Sequence, residues 1–286
     1  MGLVYILPWL IGFLIFKLYP FASSLVYSFS NFHLFKGITE WGVMNYVEAF
    51  TSKKITTALL TTIKYSIFTV PLKLVAALFI AYILNFKIKG VNFFRTAYYI
   101  PSILGGSVAI AVLWKALFRD EGLINGLLAM FGVQGPSWLS NPDYALFIIC
   151  ILRIWQFGSA MVIFLAALKG VPTELYEAAT IDGAGKWRQF RSITLPMITP
   201  VVFYNLITQL VQAFQEFNGP YIITQGGPRN STTLISLLVY NFGFKQNEFG
   251  MASALSWIMF IIVMVFTILA FVSQKYWVYY GDEEGK

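Results

Sequence analysis

The chain has 286 residues, 58% of them hydrophobic and only 12% charged, with a mean hydropathy of +0.69. A water-soluble domain carries about 25% charged residues, so a soluble globular protein is excluded and most of this surface must face lipid. The net charge of +7, from 20 basic and 13 acidic residues, fits a bilayer, where basic residues gather at the cytoplasmic ends of spans, and calls for no nucleic-acid partner.

Crossing a bilayer takes about 20 mostly apolar residues. Six segments qualify, roughly 3–29, 58–84, 96–117, 144–168, 197–217 and 250–273. Lipid offers no partner for open backbone groups, so each is predicted to be helical. The expected fold class is all-α, a polytopic membrane protein with one transmembrane domain over 1–286. No basic leader with a small-residue cleavage site precedes the first apolar run, which therefore reads as a retained span. Span 2 carries Pro71 and Lys73, and span 3 carries Pro101 followed by Gly105-Gly106; each proline or glycine pair can bend a helix or open its backbone. The lone Cys150 in span 4 reads as a small packing residue, and the lone His33 cannot build a His-rich metal cluster, so no metal site is expected. On one side of the membrane lie Lys87, Lys89, Arg95, Lys169, Lys186, Arg188, Arg191, Lys275 and Lys286. The other side holds Lys36, Lys53, Lys54, Arg119, Arg229 and Lys245. Nine against six places the 2–3 and 4–5 connections in the cytoplasm.

The 4–5 connection, 169–196, is polar and patterned. Thr173 is a suitable N-cap for a short helix over Glu174–Ile181, and Asp182-Gly183-Ala184-Gly185 ends it, because glycine accepts the left-handed backbone of a helix stop. A second stretch, Lys186–Thr194, leads to Leu195-Pro196, where proline suits the first turn of span 5. The spacing is Glu177-Ala178-Ala179, three residues, Gly183, nine residues, then Ile193-x-Leu195-Pro196.

That spacing resembles the signature loop of the permease subunits of ABC importers, and Asp182-Gly183-Ala184 with Phe190 is similar to the carbohydrate branch. Leu18-Tyr19-Pro20 with Ser28-Phe29, Trp41-Gly42 with Asn45-Tyr46, Phe214-Gln215-Glu216-Phe217 and Thr224-Gln225-Gly226-Gly227-Pro228 extend the likeness over nearly the whole chain. The sequence thus resembles a maltose-transporter-type (MalF-like) permease, though without that protein's large external insertion and with almost no cytoplasmic leader. The resemblance implies the ABC importer permease fold, with six transmembrane helices and a cytoplasmic coupling helix, in the bacterial cytoplasmic (inner) membrane. It implies a second homologous permease, two ATPase subunits, an extracytoplasmic solute-binding protein and a carbohydrate substrate. By the same likeness Glu177, Ala178, Ala179, Asp182, Gly183, Leu195 and Pro196 couple the chain to the ATPase, with Glu177 as the anchor. No G-x-x-x-x-G-K-[ST] phosphate loop occurs; Gly183-Ala184-Gly185-Lys186-Trp187 lacks the second half. No catalytic residue and no cofactor is therefore expected on this chain, ATP and Mg being held by the ATPase partners.

Span 5 carries a polar stripe. At 100° per residue Asn205, Gln209, Gln212 and Glu216 fall within roughly 60° of one another, with Thr208 and Gln215 at the edge. Amides in hydrocarbon either hold neighbouring helices together or line a wet path, and amides beside aromatic rings suit sugar hydroxyls and ring faces. Span 4 adds Arg153 and Gln156 on one face and Trp155 as a stacking candidate. Arg153 has three candidate partners: Glu216, a second subunit or an anionic substrate. Lys73 raises the same question. An ion-coupled carrier would want titratable groups in several spans, and a membrane enzyme would want a cluster of acids or histidines; neither pattern is present. A permease for a non-sugar polar solute such as glycerol phosphate, or for an acidic sugar such as an alginate fragment, is compatible with the same residues.

Overall fold

The structure, a computed structural model, describes residues 2–86 and 89–280. Lys87 and Lys286, two of the basic residues used for orientation, lie outside the described residues. In chain order the elements are α1 (Tyr5–Ser28), β1 (Ser30–His33), β2 (Gly37–Trp41), α2 (Met44–Thr51), α3 (Lys53–Asn85), α4 (Val91–Ile103), α5 (Val108–Leu117), α6 (Leu123–Met130), α7 (Pro142–Trp155), α8 (Gly158–Lys169) and α9 (Thr173–Ile181). They continue with α10 (Lys186–Phe214), α11 (Ile235–Tyr240) and α12 (Phe249–Gln274). The architecture is helical, apart from the β1–β2 antiparallel hairpin with its register irregularity between Ser30 and Phe32.

Four helices, α1, α3, α10 and α12, are each long and apolar enough to cross a bilayer, and two bent pairs complete up to six crossings. The third and fourth crossings are not single rods. α4 and α5 meet at 99°, and α7 and α8 at 40°. Pro101 lies in the last turn of α4, the break passes through Gly105 and Gly106, and Ser107 starts α5 afresh by accepting a hydrogen bond from the Ala109 N–H at 3.2 Å. Proline removes a helix donor and the glycines add backbone freedom. The fourth crossing breaks at Gln156-Phe157, ahead of Gly158. A Cβ on Gly158 would stand 2.5 Å from the Tyr98 carbonyl and 2.8 Å from the Tyr99 Cα, so glycine lets α8 lie directly along α4. Gly158→Ala is expected to cost about 2 kcal/mol through overpacking, read as a lower melting temperature of the detergent-solubilised protein.

By contacts the chain forms two compact units. One holds the residues up to Thr62 with Thr233–Ile262, the other Ile63–Thr232 with Val263 onward. In the first, Ala49, Ile55, Ala58, Ile235, Leu238, Met251 and Leu255 make the core. The Thr62 hydroxyl accepts from the Ile235 N–H at 2.9 Å, which starts α11. In the second, Ala111, Trp114, Phe118, Ile148, Leu152 and Ile223 pack together, and the Trp114 indole donates to the Ile148 carbonyl at 3.2 Å. Apolar residues over a hundred positions apart can share one core only because the helices return on themselves, each burying one stripe.

Candidate functional site

Two arrangements stand out, one in the 169–196 connection and one among α3, α7 and α10. In the connection, helix α9 begins one residue earlier than expected. Pro172, in extended conformation, precedes it, and no side chain caps it; Thr173 is inside the helix, because the fixed φ of Pro172 already sets the entry turn. The stop is as patterned. Gly183 adopts a left-handed φ of 73°, the Gly183 N–H bonds the Thr180 carbonyl at 3.1 Å and the Ala184 N–H bonds the Ala179 carbonyl at 2.8 Å. This pair of bonds closes the helix end and satisfies its last carbonyls.

The expected fresh start at Leu195-Pro196 does not occur. α10 begins at Lys186 and runs through Pro196. One wide π turn over Phe190–Thr194 precedes the proline, closed by the Leu195 N–H on the Phe190 carbonyl. A wider turn makes room for the ring and for the carbonyl that loses its donor, so the helix survives where the sequence suggested a boundary.

Helix α9 has a held face and a presented face. Gln189 is 4% exposed, and its amide nitrogen donates to the Thr180 hydroxyl and the Ala184 carbonyl, both at 3.0 Å. Its oxygen accepts from Lys186 Nζ at 3.4 Å. The Tyr176 and Thr194 hydroxyls pair at 2.8 Å. These bonds tie α9 to the base of α10. At 100° per residue Glu174, Glu177, Ala178 and Ile181 fall on the other side. Glu177, Ala178, Asp182 and Gly183 are exposed, and Ile181 is 87% exposed. Ala179 is half-buried, as are Leu195 and Pro196. Sequence reasoning missed Gln189, Tyr176 and Thr194. The readable signal was Tyr176 and Thr180, one turn apart and within about 40° of each other around the helix, on the flank away from Glu174 and Ala178.

The second arrangement centres on Arg153 near the end of α7. Its Nη1 stands 3.8 Å from the Glu216 carboxylate. Nη2 donates to the Gln212 side-chain oxygen at 2.9 Å, and Nη1 donates to that of Gln156 at 3.4 Å. The other Glu216 oxygen accepts from the Gly219 N–H at 3.0 Å. Of the three candidate partners for Arg153, the structure thus supplies Glu216. Gly105 and Gly106, at the break of the third crossing, line a cavity of about 240 Å³ with Arg153, Gln212, Gln215, Glu216 and Asn218. A Cβ on Gly105 would meet the Gln156 side chain at 2.8 Å, so the bend brings bare backbone against the amide. Asn218 Nδ2 donates to the Gly106 carbonyl at 3.1 Å.

Gln209 and Asn205 continue the stripe along α10 away from this cluster, 5% and 0% exposed. Asn205 Nδ2 donates to the Val201 carbonyl at 3.2 Å, while the side-chain oxygens of both residues are buried without a partner among the described residues. Trp155 lies elsewhere. It packs on Trp114 with ring centroids 5.5 Å apart, in the apolar cluster. The sequence reading also passed over Tyr65, which lines a small crevice with Arg153, Gln156 and Glu216.

The family model described as binding-protein-dependent transport system inner membrane component matches residues 43–278. The probable ABC transporter permease protein YesP of Bacillus subtilis (strain 168) is 43% identical over 99% of this chain and 93% of its own length. The trehalose/maltose transport system permease protein MalF of Thermococcus litoralis is 33% identical over 94% of this chain and 92% of its own. Among solved structures, a chain of the bacterial alginate ABC transporter in complex with alginate pentasaccharide-bound periplasmic protein superposes with a TM-score of 0.83. It is 24% identical and covers 96% of this chain and 94% of its own, which shows a shared fold.

Proposed function

Because the chain belongs to the family of binding-protein-dependent transport system inner membrane components, we infer that it is the transmembrane permease subunit of an ATP-driven importer of carbohydrates, crossing the bacterial cytoplasmic membrane several times. The observation that carries this reading is α9, a short helix braced from behind by Gln189 that presents Glu177 and Ile181 outward. A helix held rigidly on one face and bare on the other transmits displacement to whatever grips it. The partners we infer are a second permease of the same kind, two ATPase subunits that bind ATP and Mg, and an extracytoplasmic solute-binding protein. Glu177, Ala178, Ala179, Asp182 and Gly183 meet the ATPase, and Leu195 and Pro196 carry its motion into α10. The trehalose and maltose named for the Thermococcus relative support a sugar as cargo. Arg153, Gln156, Gln212 and Glu216 form the polar wall the sugar passes, with Gln209 and Asn205 beyond it. Trp155, expected to stack on a sugar ring, is instead packed on Trp114 in the apolar cluster and stands outside this wall.

In this mechanism the loaded binding protein docks outside, ATP closes the ATPase pair, and the two coupling helices convert closure into outward opening. Hydrolysis resets the pore. Uptake of a labelled neutral glucose trisaccharide into proteoliposomes holding the whole complex tests the reading. Uptake is expected to need ATP inside and binding protein outside. Uptake driven by an ion gradient without ATP would replace it with an ion-coupled carrier.

The role of the stripe is checked separately. Gln209→Leu is expected to slow uptake about fivefold, the worth of roughly one hydrogen bond of about 1 kcal/mol. Its melting temperature should hold or rise, because the variant removes a buried oxygen that has no protein partner. A lower melting temperature with unchanged uptake would make Gln209 a helix-packing amide instead.

A further inference from the structure

Resting on the importer reading, the charges of the second unit point to the kind of sugar it selects. Arg153 is already answered, by Glu216 at 3.8 Å and by two side-chain amide oxygens. Lys73 on α3 is not. It is 3% exposed, and among the described residues no hydrogen bond or ion pair holds its ammonium. The two charged groups whose fields act on it, Arg153 and Glu216, carry opposite signs, and the ion pair that Glu216 makes among the described residues is with Arg153, not with Lys73. An ammonium this deep cannot reach the headgroups along its own stem, and an uncompensated charge inside a span marks a function.

The groups around that charge are also unsatisfied. Tyr65, Thr69 and Lys73 follow one another at four-residue spacing, with Ser66 beside them, so all four share a face of α3. None of the three hydroxyls makes a well-formed hydrogen bond among the described residues, Thr69 lying beside Tyr65 and Cys150 without closing one, and the side-chain oxygens of Asn205 and Gln209 on α10 are likewise buried without a partner. A buried polar group left unmade is costly, and five in one unit call for a shared occupant. As the second and the fifth of six crossings, α3 and α10 run in opposite directions. Rising numbers on α3 and falling numbers on α10 therefore lead away from Arg153 and Glu216 toward the same side. The two rows cover similar depth, about 12 Å from Tyr65 to Lys73 and about 10 Å from Gln212 to Asn205 at 1.5 Å per residue.

We propose that Tyr65, Ser66, Thr69, Asn205 and Gln209 line a hydrated lane below the Arg153–Glu216 pair. Lys73, at its inner end, is the specificity-determining cation for sugars that carry an anionic group, a carboxylate or a phosphate ester. Water and sugar hydroxyls occupy the orphan donors and acceptors, and the anion meets the unanswered ammonium.

The test uses the reconstituted complex with three competing cargoes of equal length: a neutral glucose trisaccharide, a uronic acid trisaccharide and a glucose trisaccharide carrying one phosphate ester. The wild type is expected to import at least one anionic cargo. Lys73→Met should lower the anionic-to-neutral uptake ratio about tenfold, the worth of one charge-assisted hydrogen bond, and Lys73→Arg should restore it. Which of the two anions shows the loss identifies the substituent. Co-purification of the partner subunits checks that the variants assemble. An unchanged ratio in Lys73→Met, or a wild type that imports the neutral sugar alone, overturns the proposal and leaves the importer reading standing. A wild type that imports none of the three with ATP and binding protein present overturns both.

Discussion

Glu177→Ala combined with Gly183→Val is expected to abolish the stimulation of ATP hydrolysis by loaded binding protein, while the permease pair still assembles. Glu177 is exposed on the free face of α9, so its removal disturbs nothing inside this chain. What it removes is a charge offered to a partner, and one charge-assisted hydrogen bond is worth about 1.5–3 kcal/mol, or tenfold and more in coupling. Gly183 acts differently. A Cβ there would meet nothing within 4 Å, so valine brings no clash. Its cost is the left-handed φ of 73°, about 1–2 kcal/mol for a residue with a side chain. The strain is relieved by reopening the helix end, which swings the Glu177 face out of position. Each change should therefore act on the handover of motion and not on the transmembrane core. ATPase stimulation that survives in the double variant would reduce α9 to a connector.

Arg153→Met is expected to act on the core instead. It withdraws the cation beside Glu216 and the donor on Gln212, with both charged side chains mostly buried, 18% and 15% exposed. Removing one member of such a pair costs about 3 kcal/mol, because the other charge is left uncompensated. The yield and melting temperature of the complex should fall together. Adding Glu216→Gln should recover more than half of the loss, since a neutral amide asks less of its surroundings. A full cycle of the two single variants and the double should give a coupling of about 1–3 kcal/mol. Strictly additive losses would mean that Arg153 and Glu216 contribute separately and that the pair does not organise the wall.

The sequence made some of this legible because helical periodicity is local. Asn205, Gln209, Gln212 and Glu216 announce their shared face by spacing alone, and the same rule, applied to span 2, would have shown Tyr65, Thr69 and Lys73 together. Pro101 with Gly105-Gly106 announced a weak point, yet the 99° bend also depends on how closely α8 approaches through Gly158, and that lies more than fifty residues away. Gln189 was invisible for a related reason. Its acceptors, the Thr180 hydroxyl and the Ala184 carbonyl, come within reach only after the chain has turned at Gly183. Pro196 misled because a proline near a polar stretch reads as a helix start, and the π turn that accommodates it has no sequence signature of its own. Trp155 follows Arg153 by two positions and precedes Gln156 by one, which puts it about 200° and 100° from them around the helix, toward Trp114.

The two-faced construction of α9 also has an evolutionary consequence. The face held by Gln189, Tyr176 and Thr194 answers to this chain alone, so a change there must be compensated within the same gene. On the importer reading, the face carrying Glu174, Glu177 and Ile181 answers to the ATPase partner, and it is free to drift in step with that partner while the scaffold beneath it stays fixed. Exchange of the outward residues between related systems should then transfer the choice of motor without rebuilding the pore.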